Sequence, residues 1–200
     1  MFLQLTEKER TIFELACPHL QVMSNELHTK EAVHFCLQLL QTVDGDRHIV
    51  IPAAILHDTG WAKIPEKVSK KIRVPDGEPE AIKVHEEISA LIAELILRDV
   101  NYKSAYIDEI VSIIIGHDSR KKALSLNDKI VKDADKLSRF SKDFSKIWPK
   151  WGDGSVAENL YAELADGVEN WFFLWESKKI ARIELDHRIN EHHAQNALTP

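Results

Sequence analysis

A histidine and an aspartate stand side by side at His57-Asp58, closing the apolar run Ile51–Leu56 and preceding Thr59-Gly60. Two polar side chains at the end of a buried element are costly to desolvate unless something pairs with them. A divalent cation does so when further ligands arrive from elsewhere, and His28, His85, His117 and Asp135 are the candidates. His117-Asp118 repeats the pattern, since it follows the apolar run Ile110–Ile115 and Gly116. His85 opens the helical stretch HEEISALIAELIL, where Glu86 and Glu87 equally fit a solvated face. His28, near the start of an amphipathic helix, equally fits a capping residue. In KIVKDADKLSRF, Asp133 and Asp135 are two apart and cannot share a helix face. One is expected inward and the other toward solvent, and the apolar neighbours Ile130, Val131, Ala134 and Leu137 favour Asp135 as the inward one. Imidazole and carboxylate together suit Mn, Mg, Co, Ni, Fe or Zn, with too little thiolate to single out zinc.

The elements that must position these groups are helices. Apolar residues recur at intervals of three and four almost throughout, which predicts an all-α fold. Helices are expected near Glu7–Met23, Asn25–Val43, Asp46–His57, Glu78–Leu97, Ser104–His117, Leu126–Lys146 and Ser155–Ile189. Ser104 and the pair Asn127-Asp128 read as start signals. Gly60–Glu78 is the one long connection without strong periodicity, and it is rich in Lys63, Lys67, Lys70, Lys71 and Arg73. The Trp148-Pro149 and Gly152-Asp153-Gly154 steps punctuate the chain before the last helical stretch. That stretch carries Trp171, Phe172, Phe173 and Trp175, a face for packing across the rest or for pairing in a homodimer. The organisation expected is one helical domain over 1–190, with a motif core about 20–140, a C-terminal extension about 150–190 and a frayed tail at 191–200.

With 26 basic and 32 acidic side chains the net charge is −6, which argues against general nucleic-acid binding. MFLQLTEKER has charges where a signal peptide needs an apolar stretch, and no apolar run approaches the roughly 20 residues of a membrane span. Cys17 and Cys36 lie in apolar helical patterns and read as reduced core residues. The expected address is the cytoplasm, with no membrane partner. Basic residues nonetheless follow the motif pairs. Lys63 comes after His57-Asp58, and Arg120 and Lys121 come after His117-Asp118, so these three are the expected contacts of an anionic substrate.

The order His, His-Asp, Asp, each on a different helix, resembles the HD superfamily of metal-dependent phosphohydrolases. His28 matches the first family histidine, His57 and Asp58 the doublet, and Asp135 in Asp-Ala-Asp-Lys-Leu the last aspartate. His85 and His117 stand where many members carry two further histidines. The resemblance covers roughly Leu20–Phe140. It implies an HD-type helical bundle in which His28, His57, Asp58 and Asp135 hold a divalent ion. It also implies hydrolysis of a phosphate mono- or diester, nucleotide-like in character, by an activated water. His85 and His117, with Asp58, are the expected catalytic groups. The two histidines either take a second ion bridged by Asp58 or bind phosphate and protonate the leaving group, and the latter is slightly favoured. Departures bear on the substrate. Many members read His-Asp-x-Gly-Lys, whereas Trp61 stands at the lysine position; Trp61 also occupies the site of the deoxynucleotidase branch's glutamate. No Gly-Tyr-Pro extension of cyclic-dinucleotide phosphodiesterases follows His117. The competing readings are a non-catalytic nucleotide- or metal-sensing module and a di-iron oxygenase.

Overall fold

A computed structural model describes residues 4–69, 79–145 and 157–197. Those residues are helical throughout apart from connections. In chain order they form α1 (Glu7–Ala16), α2 (Asn25–Leu39), α3 (Arg47–Leu56), the single turn α4 (Glu66–Ser69), α5 (Pro79–Asp99), α6 (Ser104–Ile114), α7 (Leu126–Ser138), the single turn α8 (Lys142–Ser145), α9 (Ala157–Asn170) and α10 (Trp175–Ala197). Short 3-10 turns lie at Cys17–His19 and Thr59–Lys63. Lys70, Lys71, Arg73 and the Trp148–Gly154 punctuation fall outside the described residues.

The core is built around α3, in which every residue from Ile49 to Leu56 is buried. Helices α1, α2, α6 and α7 pack around it, and α2 lies along α7. Because α3 is apolar on all sides from Ile49 to Leu56, polar side chains resume only at its C-terminal end, where His57 and Asp58 follow. Pro52 inside α3 lacks the N–H that would bond the carbonyl of His48. The Tyr102 hydroxyl donates to that carbonyl at 2.9 Å, so the helix continues without an unpaired acceptor. Asp46 caps α3 through the amide of His48, and Thr6 with Glu9 forms a capping box on α1. Glu9 is itself buried and paired with Arg47 at 2.7 Å, which ties α1 to α3.

Several boundaries differ from the periodicity-based expectation, each for a local reason. Ser104 is the first residue of α6 and not its cap, because Lys103 holds the extended N-cap position. α7 is capped by Ser125, whose hydroxyl accepts from the amide of Asp128, and not by Asn127-Asp128. α6 ends before His117 because Gly116 takes a φ of +93°, a conformation that side chains rarely adopt. The expected helix 155–189 is two helices. Asp133 accepts from the amides of Phe173 and Leu174, each at 2.9 Å, and thereby caps the start of α10. Asp133 is therefore buried like Asp135 and not turned to solvent, and burial pushes its carboxyl up to about 6 despite those two bonds. The break delivers Phe172 to the core beside Phe140, while Phe173 and Trp175 stay exposed. The expected frayed tail is helical through Ala197. One contiguous apolar cluster extends from Leu5 to Leu185.

Candidate metal centre

The helix ends described above converge on a single buried cluster. His28 sits in the first turn of α2, His57 and Asp58 leave α3, His85 lies on α5, His117 and Asp118 follow α6, and Asp135 belongs to α7. Every one of these except Asp118 is buried. The Nε2 atoms of His28 and His57 are 3.1 Å apart, and those of His85 and His117 are 3.3 Å apart. Asp58 lies between the two pairs. Its Oδ2 is 3.4 Å from His28 Nε2 and 3.6 Å from His57 Nε2, while its Oδ1 is 3.4 Å from His117 Nε2 and 3.6 Å from His85 Nε2. Asp135 Oδ1 joins the first pair at 3.1 Å from His28 and 3.9 Å from His57. Asp118 Oδ2 joins the second, 3.7 Å from both His85 and His117.

Three of the four imidazoles are held from behind. His57 Nδ1 donates to the carbonyl of Ala54 at 2.8 Å, and His117 Nδ1 donates to the carbonyl of Ile114 at 2.9 Å. Ser138 Oγ gives its proton to the carbonyl of Asp135, so His28 Nδ1 donates to Ser138 Oγ at 2.9 Å. A carbonyl or an already donating hydroxyl can only accept, so these neutral rings present lone pairs on Nε2. Two lone pairs 3.1 Å apart repel unless a cation or proton lies between them. Asp135 Oδ2 is also buried without a hydrogen-bond partner among the described residues. The donor set and its unmet electrostatics therefore fit a divalent cation.

Protons answer the same demand when no cation is present. Burial opposes a charge on His117, but Asp118, Asp58 and Asp135 outweigh it and push the imidazole up to about 9. His28 is raised likewise, since Asp135 and Asp58 overcome its burial. Burial keeps His57 and His85 below the ordinary histidine value, helped by the neighbouring His117. Desolvation would raise Asp58, yet His57, His117 and His28 hold it well below the usual carboxylate range. Asp135 is held low in the same way by His28 and Lys136.

The His117-Asp118 loop owes its position to two buried charges that sequence reasoning did not single out. Glu86 accepts from the amides of Asp118 and Ser119 at 2.8 and 2.7 Å and from the Ser119 hydroxyl at 2.6 Å. Lys132 donates to the carbonyls of Gly116, His117 and Arg120 at 2.5, 2.6 and 3.0 Å. The signals were adjacency and helical register: Glu86 follows His85, and Lys132 is one turn before Asp135. Arg120 is not brought to the cluster. Its guanidinium turns back onto the carbonyls of Ile115 and Ser112 and onto buried Asp128 at 2.9 Å. Lys63 and Lys121 are exposed, and Lys63 lies close enough to His19 to help burial depress that histidine. A cation that does lie beside the cluster is Lys136, whose Nζ is 3.8 Å from Asp135 Oδ2.

The HD domain family model matches residues 26–139, more than half of the chain and the whole span from His28 to Asp135. The chain belongs to the HD domain family. No curated protein matches it. Among solved structures, this HD protein is similar to the crystal structure of a predicted HD superfamily hydrolase from an uncultured Thermotogales bacterium. The TM-score is 0.61 at 18% identity, with 94% of this chain and 91% of that chain covered, which shows a shared fold. Among the described residues, no helix of the HD protein is long and apolar enough to cross a membrane.

Proposed function

We propose that this HD protein is a metal-dependent phosphohydrolase that cleaves a phosphate mono- or diester of a nucleotide-like substrate. The observation that carries the reading is the meeting of four imidazole nitrogens on the two oxygens of one buried carboxylate, Asp58. His28, His57, Asp135 and Asp58 would hold a first divalent ion. His85, His117, Asp118 and Asp58 would hold a second, because Asp118 adds an anionic oxygen to that half. This gives His85 and His117 a ligand role in preference to the phosphate-binding and leaving-group roles favoured from the sequence.

A divalent cation in this setting acidifies water toward neutral pH and polarises a phosphoryl oxygen. The chain's own groups supply the rest. Ser138, Ala54 and Ile114 fix three imidazoles with their Nε2 atoms inward. Burial of all but Asp118 strengthens every charge interaction at the centre, and the partly exposed Asp118 marks the side from which substrate arrives. Lys136, on that same cluster, offers an ammonium to a substrate phosphate, the part first expected of Arg120.

The test is a panel of phosphomonoesters and phosphodiesters, nucleotides included, assayed with Mn²⁺, Mg²⁺, Co²⁺ and Ni²⁺ supplied one at a time. Turnover is expected with at least one metal and is lost in His57→Ala and Asp135→Asn. Activity that survives in both variants refutes the proposal, and iron-dependent oxygen consumption without hydrolysis replaces it with the di-iron oxygenase reading.

A further inference from the structure

His85 differs from the other three histidines of the cluster. It is buried, yet its Nδ1 has no hydrogen-bond partner among the described residues, so no donor–acceptor bond orients the ring from behind. What lies against it is Trp61. The indole and imidazole are stacked, with ring centroids 3.9 Å apart and planes 15° from parallel. The same indole donates its Nε1–H to Asp58 Oδ1 at 3.1 Å. One side chain thus touches two of the four groups in the second half of the centre: the ring of His85 and the particular oxygen of Asp58 that faces His85 and His117.

The local backbone is built to bring this about. The 3-10 turn Thr59–Lys63 is pressed against α5, with the Gly60 amide donating to Ser89 Oγ at 2.8 Å. A Cβ at Gly60 would collide with the carbonyl of His85, so the approach that stacks Trp61 on His85 requires glycine there. Trp61 itself is 7% exposed. A large aromatic held this tightly has few alternative rotamers, which makes it an effective template for both contacts.

We infer that Trp61 is a positioning residue for the second divalent ion, fixing the His85 ring by stacking and the rotation of the Asp58 carboxylate by its indole N–H. The inference rests on the two-ion reading given above. The first subsite has its own supports in Ser138 and Ala54 and meets Trp61 only through the shared carboxylate of Asp58. Trp61 therefore acts on the second half through two groups and on the first through one. Outer-shell partners of this kind typically contribute about 10–100-fold in metal affinity.

The experiment is a Mn²⁺ titration of the full-length apoprotein, followed by calorimetry and by the electron paramagnetic resonance signal of free Mn²⁺. Wild type is compared with Trp61→Phe, which keeps an aromatic ring but lacks the N–H, and with Trp61→Leu, which lacks both. Two classes of Mn²⁺ are expected in wild type. In Trp61→Phe one class should lose about tenfold in affinity, and in Trp61→Leu it should lose more. The other class should lose clearly less in Trp61→Phe, whose metal-free thermal midpoint should stay as in wild type. Equal losses in both classes, or no loss in either, overturn the inference, since the first is a general structural effect and the second is no effect. Two Mn²⁺ bound by wild type with such a result leaves the metal centre standing and removes only the tryptophan's role. A wild-type protein that takes up no Mn²⁺ refutes the metal reading itself and this inference with it.

Discussion

Arg120 follows the His117-Asp118 pair closely enough to suggest an anion contact, but its guanidinium is the counter-ion of a carboxylate with no exposure, Asp128. Arg120→Ala leaves that carboxylate with the amide of Leu124 as its one hydrogen-bond partner among the described residues. Breaking one side of such a pair costs roughly 3 kcal/mol, so thermal unfolding should shift down clearly while KM for a phosphate ester stays within about twofold. Lys136→Ala should do the reverse. It should raise KM about tenfold, the loss of one charge-assisted contact of about 1.5 kcal/mol, with metal content by elemental analysis unchanged. The sequence made the clustered residues legible because imidazoles and carboxylates at the ends of apolar runs have no cheap structural alternative. It did not distinguish which cations serve them. A lysine or arginine on a short loop reads the same whether its head group reaches outward or folds back onto helix carbonyls, as Arg120 does onto Ile115 and Ser112.

At the scale of elements, the periodicity located each helix that carries a ligand but misjudged where several end. The reasons are tertiary. Ser125 outcompetes Asn127 for the cap of α7, whose side chain instead accepts from the amide of Asp46 and donates to Glu109. The periodicity over 155–189 reads as one helix, and only the distant carboxylate of Asp133 shows that it must break before Trp175. The α1–α3 tie gives a pH prediction. Burial opposes charge on Glu9, but Arg47 and the Thr6 cap hold its pKa below the ordinary glutamate value. The stability it contributes is therefore present above the unfolded value of about 4.3 and is lost as pH falls through the lowered one. Glu9→Gln should be less stable than wild type at pH 7, and the gap should close in acid denaturation profiles below about pH 4. Tyr102→Phe removes the donor to the His48 carbonyl beside Pro52, and about 1 kcal/mol of stability should go with it in denaturant titrations.

Across the whole molecule, the all-helical bundle was legible from spacing alone, whereas the convergence of five helices on one site was not. Spacing gives the face of a helix and not its neighbours, so only the folded chain reveals that Asp58 presents one oxygen to each histidine pair. A centre with so many buried charges should respond strongly to its ion. Saturating Mn²⁺ at a hundredfold excess over Kd adds about 2.7 kcal/mol to the folded state. For a chain of this size the melting temperature in EDTA should fall about 5–10 °C below that in Mn²⁺, as read by scanning calorimetry. An unchanged midpoint would mean that the ligands hold nothing.

Helix α7 serves two masters, with Asp135 aimed at the metal centre and Asp133, two residues earlier, plugged into the first turn of α10. Trimming the chain just after the family-matched segment would strip Asp133 of both amides that solvate it and uncover the flank of the helix that delivers Asp135. A minimal fragment ending near residue 139 is thus a poor stand-in for the whole chain, and its failure to bind metal would report a stranded carboxylate and not a missing ligand.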